Sequence, residues 1–290
     1  MQWVQVLVLG LLLGSVYAMM ASGLTLLFGV MRVVNLAHAA FLLVASYITY
    51  VLFENLALDP MVSLVVTMPL MFGLGVVLYL LLFPRLEDSP RYVEMTVLLT
   101  FGLALIVEGM LTFTFTGIFR SVRPEYASSS IRFGGLFMPT SQLYASVISF
   151  ALLIGLWLVL RFSKTGTAIR ATMQNRSAAQ IVGVNVRRVS ALAFGIGMAL
   201  AGAAGSLLSF MFPFVPARHW QWIALLLALI VLGGMGSIKG AVIGALLLAV
   251  ASSFVTVLAG PTWSPITFYL TLFLILLIRP QGLFGAKVRL

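Results

Sequence analysis

Residue types that carry out chemistry are scarce in this 290-residue chain. Cysteine is absent, which excludes disulfides, thiolate catalysis and cysteine-ligated metals. The two histidines, His38 and His219, are too few and too far apart to predict a metal site. No intact phosphate-binding pattern, either G-x-x-x-x-G-K-S/T or G-x-G-x-x-G, occurs in the sequence. We therefore expect that this chain binds no cofactor of its own and does not hydrolyse ATP.

Glu108 is a charged residue inside a long apolar stretch. It lies about seven residues before the end of that stretch, hence about 10 Å inside a helix that would cross a membrane. Charged groups at such depth are costly and often functional. A carboxylate there could bind the ammonium group of a zwitterionic substrate, or it could pair with another polar side chain of the bundle. Both alternatives stay open at this point.

Arg32, Asn35 and His38 form a polar cluster between the first two apolar stretches. Transporters often break helices at such points and direct the helix ends at the substrate. The alternative is a cytoplasmic turn, which we favour for Arg32 because its long side chain can reach the lipid headgroups, but not for Asn35. We predict that Asn35, His38 and Glu108 line a substrate pathway.

The composition predicts that lipid solvates much of the chain. Apolar residues make up 62% of it, charged residues 8%, and the mean hydropathy is +1.14, whereas a soluble domain carries about a quarter charged residues. The net charge of +10 is typical of loops that face anionic lipid and the cytoplasm. We expect no nucleic-acid partner.

Apolar stretches long enough to cross a bilayer predict an all-α, polytopic bundle of about eight to ten transmembrane helices. One transmembrane domain, residues 1–290, would contain them all. The seventh and ninth stretches are short and could be tilted, broken or re-entrant. The stretches are Val4–Phe28, Val33–Phe53, Met61–Phe83, Val93–Phe115, Leu143–Leu160, Val189–Phe212, Trp222–Leu232, Ala241–Leu258 and Ile266–Ile278.

Lysine and arginine concentrate in alternate loops, which predicts nine crossings with the N-terminus outside. The loops then placed inside include those with Arg161, Lys164, Arg170, Arg176, Arg187, Arg188, Lys239, Lys287 and Arg289. The outside loops hold Arg120, Arg123, Arg132 and Arg218. In the extracellular loop 116–142, Gly134-Gly135 between prolines predicts a folded loop or a short hairpin. It could contact an external partner or simply cap the bundle.

The cytoplasmic loop 161–189 interrupts the apolar pattern with basic residues and has no acidic one. We predict one helix over 167–175 and a second that begins at Ser177. Ser177 and Gln180 fit a capping box. Gly183 suits a left-handed helix end, and Asn185 a cap for the following span. By itself this pattern is also typical of an interfacial helix held by anionic lipid.

Four blocks of sequence carry a resemblance to a known family. The segment 177–183, Ser-Ala-Ala-Gln-Ile-Val-Gly, resembles the A-A-x-x-x-G coupling loop that permeases of ABC importers insert into their ATPase subunits. The longer segment 166–185 resembles specifically the branched-chain amino-acid permease family, and the blocks 23–38, 231–240 and 279–285 agree with it in matching order. The chain is most similar to the shorter of the two permeases in such systems.

This resemblance implies a multi-pass subunit of an ABC importer in the bacterial cytoplasmic membrane. Its partners would be a second related permease, two ATP-binding subunits that hold ATP and magnesium, an external solute-binding protein and membrane lipid. Branched-chain, hydrophobic amino acids would be the substrates. The residues that the resemblance assigns to ATPase coupling are Arg170, Gln174, Asn175, Arg176, Ala178, Ala179 and Gly183.

Two departures from the family pattern bear on these expectations. Many members have glutamate where Ser177 stands, and an acidic residue or glycine often occupies the place of Ala39. Ala39 could alter the pathway and hence the substrate. Urea, short amides or aromatic acids therefore stay open as substrates of the same architecture. An ion-coupled secondary transporter is the alternative from another class, but it would not need the helical loop 161–189.

Overall fold

In a computed structural model, residues 2–87 and 89–285 are described. The predicted inside residues Lys287 and Arg289 lie outside these ranges. The helices are α1 (Gln2–Met31), α2 (His38–Leu56), α3 (Pro60–Leu82), α4 (Tyr92–Phe115), α5 (Thr140–Phe162), α6 (Lys164–Gln174), α7 (Arg176–Ile181), α8 (Val186–Met211), α9 (His219–Gly233), α10 (Ile238–Ala259) and α11 (Ser264–Ile278). Two strands, β1 (Ser130–Phe133) and β2 (Leu136–Pro139), lie between α4 and α5.

Nine helices within the described ranges are long and apolar enough to cross a membrane, and they coincide with the nine predicted stretches. The all-α polytopic fold is thereby confirmed. The two short stretches are complete spans because a single 3-10 turn precedes each of them. Residues Pro216–Arg218 lead into α9 and Pro261–Trp263 into α11, which brings each span to 18 residues.

Helix α8 forms the centre of the bundle. It packs against α1, α2 and α3, and 83% of the residues in its most apolar 18-residue stretch are buried. Its small residues make this possible: a Cβ on Gly205 would overlap the carbonyl oxygen of Leu42 in α2. Close approach through small residues is the usual way in which helices associate in lipid. By contrast, only 6% of the residues in the span Pro261–Ile278 are buried, so α11 lies at the periphery of the bundle.

The segment between α4 and α5 is folded and contains the predicted hairpin. Strands β1 and β2 pair antiparallel, and Gly134 and Gly135 make the turn with φ of +56° and +82°. Gln5 in α1 exchanges two hydrogen bonds with the backbone of Phe137. The hydroxyl of Tyr126 donates to Asp59 at 3.2 Å, and burial together with this carboxylate raises the pKa of Tyr126. The segment is thus tied to the bundle, while contact with an external partner stays a prediction.

Candidate functional site

Helices α6 and α7 interrupt the spans where the sequence predicts a cytoplasmic loop. Ser163 caps α6, since its Oγ accepts a hydrogen bond from the Gly166 N–H at 2.8 Å. The predicted capping box at Ser177 is wrong. Asn175 caps α7 instead, because its backbone becomes extended directly after α6 (φ −153°, ψ 108°) and its Oδ1 accepts from Ala178 N–H at 3.0 Å. Because Ser163 is its cap, α6 begins at Lys164, three residues earlier than predicted. Because Asn175 is its cap, α7 begins at Arg176.

The end of α7 agrees with the prediction. Gly183 has a φ of +84°, and the Val184 N–H donates to the Ala179 carbonyl at 3.0 Å, which satisfies a free carbonyl of the last turn. Asn185 Oδ1 accepts from the Arg188 N–H at 3.0 Å and so caps α8, as predicted. This short connection sets the position of α7 relative to the central helix.

An ion pair holds the other end of α7. Arg176 Nη2 donates to Glu87 Oε1 at 2.8 Å, and the Tyr79 hydroxyl donates to the same oxygen at 2.9 Å. Burial lowers the pKa of Arg176, but the hydrogen bond and charge of Glu87 outweigh this and raise it above its ordinary value. We call Tyr79, Glu87 and Arg176 the tether. It joins α7 to α3 and to the connection before α4.

The predicted coupling residues do not all share one surface. Gln174, Asn175, Ala178 and Gly183 are exposed. Ala179 is buried at 3%, Arg176 belongs to the tether, and Arg170 lines a cavity between α5, α6 and α10. The role of these residues in docking stays a prediction.

Two apolar residues at the tip of α7 are exposed, and sequence reasoning did not single them out. Ile181 is 85% exposed and Val182 is 76% exposed. A Cβ on the adjacent Gly183 would meet nothing within 4 Å. The tip of α7 is therefore an uncovered apolar projection, and such exposure is typical of a surface that contacts a protein partner or the membrane.

Segment 32–37 is not helical and breaks the chain between α1 and α2. Its Leu36 N–H donates to Thr100 Oγ1 of α4 at 3.2 Å. Thr100 lies about eight residues into α4, hence about 12 Å along that helix. The break therefore lies beside the third turn of α4, which is one of the apolar spans. Arg32 is exposed, whereas Asn35 is 3% and His38 0% exposed.

Asn35 and His38 hold unused hydrogen-bonding capacity. Asn35 Oδ1 accepts from the Ala37 N–H at 3.1 Å. Its Nδ2 and both ring nitrogens of His38 are buried without a hydrogen-bond partner among the described residues. His38 packs beside Gly23 of α1, close to α8. Such unpaired buried groups are expensive in a low dielectric, which makes a functional use reasonable.

Glu108 pairs within the bundle in this structure. Its Oε2 accepts from Trp220 Nε1 at 3.0 Å and lies 3.1 Å from His219 Nε2. His219 and Trp220 begin α9, so this contact joins α4 to α9. Glu108 lies about eight residues beyond Thr100, hence about 12 Å further along α4. The structure does not bring Glu108 together with Asn35 and His38.

Comparison with known proteins identifies the family of this chain. The family model described as the branched-chain amino acid transport system, permease component, matches residues 6–278. The chain belongs to the branched-chain amino acid permease family. Across 98% of this chain and 96% of its own length, the high-affinity branched-chain amino acid transport system permease protein BraD of Pseudomonas aeruginosa is 27% identical.

Two further relatives align with this chain over different shares of their own length. The probable branched-chain amino acid transport permease protein LivH of Methanocaldococcus jannaschii is 31% identical over 83% of this permease and 78% of its own length. The permease protein LivM of the high-affinity system of Escherichia coli K12 is 32% identical, but over only 41% of this chain and 28% of LivM.

Family membership confirms the resemblance drawn from the four blocks. With nine apolar spans in the part of the chain that the structure describes, this permease is a multi-pass protein of the inner membrane. It belongs with membrane components of transport systems and not with enzymes. Sequence reasoning missed three candidate functional residues, Glu87, Ile181 and Val182. Glu87 is marked by its hydrogen bonds to Tyr79 and Arg176, and Ile181 and Val182 by their exposure. These properties exist only in the folded bundle.

Proposed function

We propose that this permease is one membrane subunit of an ATP-driven importer for branched-chain, hydrophobic amino acids. The observation that carries the proposal is the family match over residues 6–278. It is joined by relatives that are named as branched-chain amino acid permeases and align over 98% and 83% of this chain. ATP hydrolysis would take place on two separate subunits, and an external solute-binding protein would deliver the substrate.

The uncovered tip of α7 supports docking to an ATPase subunit. Ile181 and Val182 would enter an apolar cleft on that subunit, and the exposed Gln174, Asn175, Ala178 and Gly183 would surround them. Burying two such side chains in a protein partner stabilises association by roughly 1.5–3 kcal/mol each. Arg176 and Ala179 would act from the inner side, by fixing the helix that presents this tip.

Movement of α7 would reach the spans by two routes. The tether passes it to α3 and to the start of α4. Helix α6 passes it to α1, because the Met173 side chain lies against Gly29 so closely that a Cβ on Gly29 would overlap it. Closure of the ATPase subunits would thereby shift α1, α3 and α4 together and switch the bundle between outward- and inward-facing states.

A second related permease would complete the membrane unit. In Escherichia coli K12, both LivH, which is 26% identical over 95% of this chain, and LivM share sequence with it, and this supports an importer with two related permeases. The weakly buried α11 would be available for contact with this second subunit or with lipid.

Asn35, His38 and Glu108 are proposed as polar groups of the substrate pathway. The unpaired Asn35 Nδ2 could donate to a substrate carboxylate once the break between α1 and α2 opens. Glu108 could accept an ammonium group if its bonds to His219 and Trp220 were released. Because Glu108 and the break are about 12 Å apart along α4, they would act at successive stages and not on one bound molecule.

Labelled-solute uptake in the native host, with and without this gene, tests the proposal. Leucine, phenylalanine, urea and ribose are compared. We expect loss of leucine uptake alone, and restoration when the gene returns. Loss of only urea or ribose uptake would contradict the substrate assignment. Uptake that survives ATP depletion and fails with a protonophore would indicate an ion-coupled transporter and overturn the architecture.

Docking is tested by Ile181→Ser with Val182→Ser. The matched control is Met235→Ser, since Met235 is also exposed and apolar but lies in the turn between α9 and α10. We expect the α7 pair to reduce co-purification of the ATPase subunits at least tenfold, while the control leaves it unchanged. Equal recovery from both variants would contradict docking at the tip of α7.

A further inference from the structure

A cavity of about 870 Å³ lies between α5, α6 and α10 and is independent of the proposed pathway. Its lining is sorted by chemistry along its length. Arg161 lies in the last turn of α5 and Lys239 in the first turn of α10, and Arg170 comes from α6, which follows α5 directly, so the three cations line the end of the cavity where these helices meet. The remaining walls are mostly apolar and come from α5 and the first turns of α10.

The apolar walls extend about half of a bilayer. From Phe150 to Arg161, α5 advances about 16 Å, and the hydrocarbon core is about 30 Å thick. Ile154 and Trp157 on this face are 57% and 52% exposed. Ile243 of α10 faces the same cavity. The cavity thus runs from the middle of the membrane to the face where the sequence predicts cytoplasm.

Within residues 2–87 and 89–285, Arg161, Arg170 and Lys239 form no ion pair with a carboxylate. The ion pairs among the described residues are Arg176–Glu87 and His219–Glu108, so neither involves Arg161, Arg170 or Lys239. Ser237 also lines this end and caps α10, where the helix dipole adds further positive potential. Two of the cations are exposed, and Arg170 is half-buried. An anionic group at this end would meet cations from three different helices.

We propose that the cavity binds an anionic phospholipid of the inner leaflet. The phosphate-bearing headgroup would lie among Arg161, Arg170 and Lys239, and an acyl chain would follow Phe150, Ile154 and Trp157 towards the midplane. The charged end and the apolar remainder follow the order of chemistry in a phospholipid, and basic pockets between helices on the cytoplasmic side are suited to such headgroups. The bound lipid would join α5, α6 and α10.

Trp157 supplies a built-in probe for this lipid. The full-length chain is purified in mild detergent with any subunits that stay bound and is then placed in phosphatidylcholine vesicles. Brominated phosphatidylglycerol or brominated phosphatidylcholine is added at equal fractions, and fluorescence quenching is recorded. The Trp157 signal is the difference between wild type and Trp157→Phe. We expect brominated phosphatidylglycerol to quench it more strongly, and unlabelled phosphatidylglycerol to reverse the effect.

Charge removal then locates the headgroup. Each cation near an anionic headgroup contributes about fivefold in affinity. Arg161→Gln with Lys239→Gln should therefore raise at least tenfold the fraction of brominated phosphatidylglycerol that is needed for half of the maximal quenching. Arg187→Gln with Arg188→Gln removes the same charge outside the cavity and should change it less than twofold.

Four results would overturn the proposal. They are equal quenching of Trp157 by both brominated lipids, equal effects of the two charge-removal pairs, displacement of the lipid by inorganic phosphate alone, and absence of quenching in the co-purified complex. The last result would mean that another subunit covers the cavity.

Discussion

Replacing Glu87 by glutamine removes the charge of the tether while keeping its shape. The Arg176–Glu87 pair has a distance of 2.8 Å and side-chain exposures of 31% and 25%. Fully exposed pairs contribute about 0.2–1 kcal/mol, and breaking a buried pair costs about 3–5 kcal/mol. This partly exposed pair, screened on one side, should therefore contribute about 1–2 kcal/mol. That free energy corresponds to a factor of about 5–30 in the population of correctly held α7.

The assay is ATP-driven leucine uptake in proteoliposomes that contain the whole importer, with ATP hydrolysis measured in parallel. We expect Glu87→Gln to lower uptake at least fivefold and to raise the ATP consumed per leucine, because a loosely held α7 transmits less movement to α3 and α4. Glu94→Gln is the matched control: Glu94 is an exposed carboxylate at the start of α4, and its loss should leave both rates unchanged.

A double-mutant cycle with Arg176→Gln separates the ion pair from other effects. If the pair acts as one unit, the double variant should transport no worse than either single variant. Strictly additive losses would show that the two residues act separately and would refute the tether. Wild-type uptake by Glu87→Gln would refute it as well.

Three further sets of substitutions test other parts of the structure. Gly183→Val should lower uptake at least fivefold without reducing the amount of protein in the membrane, because a left-handed backbone costs an ordinary residue about 1–2 kcal/mol, which is a factor of about 5–30. Gly183→Asn should retain most of the uptake, and equal loss in both would contradict the backbone explanation. Gly205→Leu should lower the yield of folded protein severalfold in detergent chromatography, because overpacking costs about 1–3 kcal/mol or more, while Gly155→Ala, which fills open space, should not. Asn35→Ala and Glu108→Gln should each reduce uptake about tenfold at normal expression, since a hydrogen bond to a charged group contributes about 1.5–3 kcal/mol; unchanged transport would exclude that residue from the pathway.

The sequence was sufficient to predict the spans and some helix ends. Hydrophobic length identified the nine helices of the described residues that are long and apolar enough to cross a membrane, and Gly183 and Asn185 act as the local rules require. The start of α7 was predicted wrongly because Asn175 and Ser177 are both good caps. The choice between them depends on where α6 ends, which its packing against α5 and α1 decides.

Contacts between distant parts of the chain were beyond sequence reasoning. Glu87 meets Arg176 across 89 positions and Glu108 meets Trp220 across 112, and nothing in a local pattern signals either pair. The exposure of Ile181 and Val182 was also hidden, because an apolar pair at the end of a helix usually packs inward. These features follow from how the spans are arranged around α8.

The packing of α1 against α10 also has a consequence for biogenesis. A Cβ on Gly10 would lie 2.7 Å from the Cα of Val250, and one on Gly14 3.1 Å from the Cα of Leu246, so the first span fits closely against the next-to-last. About 240 residues separate these partners, and at about 5–20 residues per second a ribosome needs roughly 10–50 s to connect them. Throughout that interval the glycine face of α1 faces lipid or an insertion chaperone. A ribosome that stalls before α10 leaves this face uncovered, and a membrane protease could recognise it as the mark of an unfinished chain.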